Sequence, residues 1–98
     1  MIKVLIIDDE KNIQVSLSSV LKDEGFSVFL ASTGEEGIGK MQHIRPDIIL
    51  LDIWLPGIDG LETMSRILEI DPMQTVIMIS GHGNINAAVR ALRQGAYD

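Results

Sequence analysis

The sequence predicts a three-layer α/β domain built on a doubly wound parallel sheet, and three observations carry that prediction. The runs Val4–Ile7, Ile48–Leu51 and Val76–Ile79 are apolar without alternation, as strands buried on both faces require. Between the strand segments lie stretches whose apolar residues recur at helical spacing. Strand and helix alternate along the whole chain with short joins, a pattern that places helices on both faces of a sheet through right-handed crossovers. Periodicity does not supply the strand order.

The first strand, Val4–Ile7, runs into Asp8, Asp9 and Glu10. A helix follows with Ile13, Leu17, Val20 and Leu21 on one stripe, and Gly25 supplies its stop. Phe26–Leu30 reads as the second strand. Thr33 with Glu36 three residues later resembles a capping box and opens a helix with Ile38 and Met41 inward, closed by Pro46. Ile48–Leu51 is the third strand, followed by a turn at Pro56-Gly57. Asp59 and Glu62 mark the next helix start, with Leu61, Met64, Ile67 and Leu68 as its apolar stripe as far as Pro72. Val76–Ile79 is the fourth strand, and Asn84 can cap a last helix carrying Ile85, Ala88, Val89 and Leu92, stopped at Gly95.

Composition narrows the function. The 98 residues suffice for one domain. They are 46% hydrophobic and only 4% aromatic, so the core must be aliphatic. Eight basic against 14 acidic residues leave a net charge of −6, which disfavours direct contact with nucleic acid or an anionic membrane. The absence of cysteine excludes disulfides, thiol catalysis and Cys-type zinc sites. The longest apolar stretches are interrupted by Asp8 or Asp52, far short of the roughly 18 residues of a spanning helix, and the start does not read as a signal peptide. A cytoplasmic location is expected.

In open parallel sheets, ligands bind beyond the C-terminal ends of the strands. There the sequence places Asp8-Asp9-Glu10, then Asp52, then Ser80-Gly81-His82-Gly83, whereas the second strand ends without charge at Ala31-Ser32. Asp8 or Asp9 alone could be a helix N-cap, but one helix needs one cap. Asp52 lies between Ile48–Leu51 and Ile53-Trp54-Leu55, where an ionised group is costly unless it is paired or bound to metal. Two carboxylates about 5 Å apart repel by roughly 3 kcal/mol at an effective dielectric near 20. An all-oxygen set of this kind favours Mg²⁺ or Mn²⁺ and suits phosphoryl transfer, with Asp52 as the group that attacks phosphorus.

These residues resemble the receiver domain of two-component response regulators. The resemblance covers residues 1–98 as one domain: the acidic end of the first strand, Asp52 to Gly60 (Asp-Ile-Trp-Leu-Pro-Gly-Ile-Asp-Gly), and Ser80 onwards. The last segment is similar to the NtrC/NtrX-like class, whose members carry a σ54-interacting ATPase and a DNA-binding domain after the receiver. The resemblance implies a flavodoxin/CheY-like fold with strand order 2-1-3-4-5. It implies that Asp52 accepts a phosphoryl group from a sensor histidine kinase. Asp8, Asp9, Asp52 and the backbone carbonyl of Trp54 would hold Mg²⁺, and Ser80 would be the switch hydroxyl. Such a receiver promotes its own phosphotransfer and dephosphorylation without being an enzyme in the ordinary sense, and its partners are the kinase and its own output domains.

The family's Lys and aromatic switch residue belong to a fifth strand, which would start beyond Asp98. The chain is therefore expected to be a C-terminally incomplete piece of a longer protein. Its uncovered fourth strand would then either recruit a neighbour, as in a homodimer, or leave the domain less stable than a chain of about 120 residues that includes the fifth strand. Leu55 replaces a frequent Met, an apolar swap. Two other functions remain open: a degenerate module that signals without phosphate, and a Mg²⁺-dependent phosphatase working through an aspartyl-phosphate. The latter needs an acid two residues after the nucleophile, where Trp54 stands.

Overall fold

A computed structural model describes residues 1–79. Seven elements follow one another: β1 (Lys3–Ile7), α1 (Lys11–Asp23), β2 (Ser27–Ala31), α2 (Gly34–Ile44), β3 (Ile48–Asp52), α3 (Gly60–Ile70) and β4 (Thr75–Ile79). All strand pairs are parallel, in the order β2-β1-β3-β4, which matches the expected order as far as β4. The expected last helix, from Asn84 onwards, and Ser80 lie outside the described residues.

Successive strand residues point to opposite faces, and this divides the core in two. Val4, Ile6, Ile48 and Leu50 face α1, where they meet Ile13, Leu17 and Leu21. Leu5, Ile7, Ile49 and Leu51 face the other way and meet Met41 of α2 and Ile67 of α3. The central strands β1 and β3 are buried from Val4 to Ile7 and from Ile48 to Asp52. In β2 and β4 only the last residue of each, Ala31 and Ile79, is fully buried. Unbroken apolar runs thus mark the middle of the sheet.

Helix ends follow their local chemistry. At the end of α1, Gly25 adopts φ +93°, its N–H donates to the Lys22 carbonyl, and the Phe26 N–H donates to the Leu21 carbonyl. This is the paired closure that a glycine beyond a helix permits. It also takes Phe26 out of the expected second strand, which starts at Ser27. Thr33 caps α2, its Oγ1 accepting the Glu36 N–H at 3.0 Å, while Glu36 Oε1 accepts the Ser32 N–H at 2.6 Å, one residue earlier than in a regular capping box. Asp59 caps α3 by accepting the Glu62 N–H at 2.9 Å. The expected α3 stripe is corrected at its first member. Leu61 is exposed, and the inward positions are Gly60, Thr63 and Ile67.

Small residues set how closely α3 approaches the sheet. A Cβ on Gly60 would collide with the Asp52 carbonyl oxygen and stand 2.6 Å from Ile53 Cα, and both of these are backbone atoms that cannot swing aside. Gly39, by contrast, sits exposed within α2, where an added methyl group would meet nothing within 4 Å. Gly60→Ala is expected to destabilise the domain by about 2 kcal/mol or more, and Gly39→Ala to stabilise it by about 0.5–1 kcal/mol. Urea denaturation midpoints of the two variants measure both, and equal midpoints would refute the close-packing account.

Candidate functional site

The β1–β3 register pairs Ile7 with Leu51, so the next residues along, Asp8 and Asp52, emerge side by side from the two most buried strands. One carboxylate oxygen from each of Asp8, Asp9 and Asp52 lies within 4.8 Å of the others. Asp8 and Asp52 are buried, at 3% and 6% exposure, and Asp9 is exposed. The sequence expectation that these three converge is met. Glu10 is not one of this group and stands at the head of α1.

Neither Asp8 nor Asp9 caps α1: Glu10 occupies the N-cap position and no side chain caps the helix there. Asp8 Oδ1 instead accepts the Glu10 N–H at 2.9 Å, and Asp52 Oδ1 accepts the Trp54 N–H at 3.1 Å. Each buried carboxylate thus receives a backbone donor two residues on, a local turn that fixes its rotation. The Trp54 side chain is 75% exposed and stands in solvent. Leu55 turns inward and joins the core on the α2–α3 side.

The electrostatics of this group are unfavourable without a cation. Burial pushes the Asp8 carboxyl up from 3.8 to about 6; the Glu10 N–H opposes that rise, and the charges of Asp52, Asp9 and Glu10 add to it. The buried Asp8–Asp52 pair alone repels by about 3 kcal/mol at an effective dielectric near 20. A divalent ion relieves this. One oxygen from each of the three carboxylates lies within 4.8 Å of the others, close enough for a single hard cation to be shared among them. The residues present fit such an ion by charge, donor type and spacing.

Gln14 is a residue that sequence patterning passed over. It is buried on the sheet-facing side of α1, and its Nε2 donates to the Asp8 carbonyl at 2.6 Å. The signal was a polar side chain beside the inward stripe of Ile13, Leu17 and Leu21.

Comparison with known proteins agrees with this geometry. The family model for the response regulator receiver domain matches residues 4–98. The chain belongs to that family. This receiver is 44% identical over 97 residues to the nitrogen assimilation regulatory protein NtrX of Azorhizobium caulinodans, covering 97% of this chain and 21% of that protein. It is 38% identical over 99 residues to the chemotaxis protein CheY of Listeria monocytogenes, covering 100% of this chain and 83% of the other. Among solved structures, the receiver domain of NtrX from Brucella abortus superposes with a TM-score of 0.77 at 40% identity, over 97% of this chain and 81% of that one. A CheY-like receiver domain protein from Methanospirillum hungatei gives 0.80 at 30% identity, over 97% and 76%. The chain spans about a fifth of the length of its NtrX relatives. Among the described residues, no helix is long and apolar enough to cross a membrane.

The receiver's stability should carry the mark of Asp8. Its folded pKa of about 6 lies above the ordinary 3.8, so between these values the folded state holds the proton more firmly than the unfolded chain. Stability falls as pH rises through that window, and the full penalty is present above about pH 6. Asp8→Asn, which can still accept the Glu10 N–H, is expected to raise the urea midpoint of the Mg²⁺-free protein at neutral pH. The gain should shrink to nothing below about pH 4. A neutral-pH midpoint that stays put or drops would contradict this.

Proposed function

We propose that this receiver takes a phosphoryl group onto the Asp52 carboxylate from a sensor histidine kinase, with Mg²⁺ held by Asp8, Asp9, Asp52 and the backbone carbonyl of Trp54. The observation that carries the proposal is the gathering of three carboxylates, two of them buried, at the adjoining ends of β1 and β3. A bound Mg²⁺ supplies positive charge for the phosphoryl oxygens and the carboxylates that face them.

Asp52 is the nucleophile. One of its carboxylate oxygens forms the new O–P bond as the P–N bond of the kinase phosphohistidine breaks, and the departing imidazole nitrogen keeps the electron pair. The Trp54 N–H bond to Oδ1 restrains the carboxylate beforehand, which lowers the freedom lost on attack. With Trp54 two residues after the nucleophile, no acid stands there to drive hydrolysis. That favours a phosphoacceptor over a turnover phosphatase.

Ser80 is assigned as the switch hydroxyl. A hydroxyl bonding to the new charged group contributes on the order of 1.5–3 kcal/mol, enough to move a two-state equilibrium by roughly 10- to 150-fold. Residues Ser80–Asn84 and the segment after them would carry the change, and Gly81 and Gly83 permit backbone rearrangement there. In a full-length cytoplasmic regulator, the output controlled in this way is σ54-dependent transcription, as the similarity to NtrX-type relatives supports.

Incubation with acetyl phosphate and Mg²⁺ should add one phosphoryl mass to the intact protein, lost in Asp52→Asn and on chelation of the metal. Catalytic release of phosphate would instead favour the phosphatase, and the absence of any adduct the phosphate-independent module. Beryllofluoride should shift the NMR resonances of residues 80–94; unmoved resonances there would eliminate the Ser80 switch.

A further inference from the structure

We infer that Gln14 is a positioning residue for the acidic rim, acting on Asp8 and Asp9 through the peptide unit that joins them. The inference rests on the metal-assisted function proposed above. Gln14 lies in the first turn of α1 and is 5% exposed. Its Nε2 donates to the Asp8 carbonyl at 2.6 Å, with the Ala31 carbonyl at 3.2 Å and Ser32 Oγ at 3.3 Å. Two N–H bonds serve these three acceptors, so the short contact takes one proton and the Ala31 carbonyl and Ser32 Oγ share the other.

The Ala31 carbonyl also accepts the Asp8 N–H at 3.0 Å. Asp8 is therefore held from three directions: at its N–H by β2, at its carbonyl by α1, and at its carboxylate by the Glu10 N–H. Gln14 supplies the only one of these three grips that comes from a side chain, and it also ties the ends of β1 and β2 to the helix that follows β1.

The consequence falls on Asp9. A peptide unit is planar, so fixing the Asp8 carbonyl fixes the direction of the Asp9 N–Cα bond. Asp9 is exposed, so burial does not hold its carboxylate in place, and its arrival within 4.8 Å of Asp8 and Asp52 depends on that plane. Because the amide donor is neutral, it holds the plane without adding a charge that competes with a cation. Loss of both N–H groups would leave the Asp8 carbonyl without its side-chain donor and release the plane.

Gln14→Met keeps the length of the side chain and removes both donors. The Kd for Mg²⁺ alone, read from NMR titration of the amides of residues 8–10 and 52–54, is expected to weaken by roughly tenfold to a hundredfold. The Asp9 amide should also shift in the metal-free protein. Ile67→Val, a core change in α3 far along the chain from the rim, serves as the control: it should lower Tm and leave the Kd alone. If Gln14→Met does not fold, Gln14→Ala carries the same test, since it leaves room for water to reach the freed carbonyls. Wild-type binding with a Gln14 variant no weaker than the Ile67→Val control would overturn the positioning role and leave the phosphoacceptor function standing. No Mg²⁺ response in the wild type would overturn both.

Discussion

Mutual repulsion among Asp8, Asp9 and Asp52 is the constraint on which the rest of this structure turns. Carboxylates this close do not gather of their own accord. They are carried together because β1 and β3 bury nearly every side chain they have, and that burial outweighs the electrostatic cost at the strand ends. Each buried aliphatic side chain contributes about 1.5–3 kcal/mol, against about 3 kcal/mol for the buried carboxylate pair. The core thus holds in place a group of carboxylates that is electrostatically costly without a cation among them.

The surroundings of the site convert that burial into fixed geometry. Gly60 lets α3 lie directly on the backbone of Asp52 and Ile53, and Gly34 lets α2 approach Ile58 and, on α3, Thr63. Thr63 itself is buried and turns its hydroxyl onto the Asp59 carbonyl at 2.7 Å. On the opposite face, Gln14 ties the ends of β1 and β2 to α1. The acidic residues are therefore gripped from both layers of helices, by missing side chains on one side and by a polar side chain on the other.

Most elements were legible because their residues obey one local rule each. Unbroken apolar runs marked β1 and β3 as central strands, and Thr33 and Asp59 announced the starts of α2 and α3. The departures came where tertiary contacts override pattern. Leu61 belongs by spacing to the α3 stripe, yet the close seat of Gly60 turns the helix so that Thr63 faces inward and Leu61 faces water. Phe26 is apolar and β-prone, but its N–H is taken by the closing turn of α1.

By itself, the sequence determined the alternation of strands and helices and the places where acidic residues end strands, because hydrophobic period and capping chemistry act over a few residues. It also carried the motif that identifies a receiver. Only the tertiary structure decided that Asp8 and Asp52 stand side by side, since the order β2-β1-β3-β4 and the pairing of Ile7 with Leu51 join segments more than forty residues apart. The grip of Gln14 on Asp8 was likewise decided there. A buried amide looks like any other polar residue until the carbonyls it must satisfy are brought against it by the folding of the sheet.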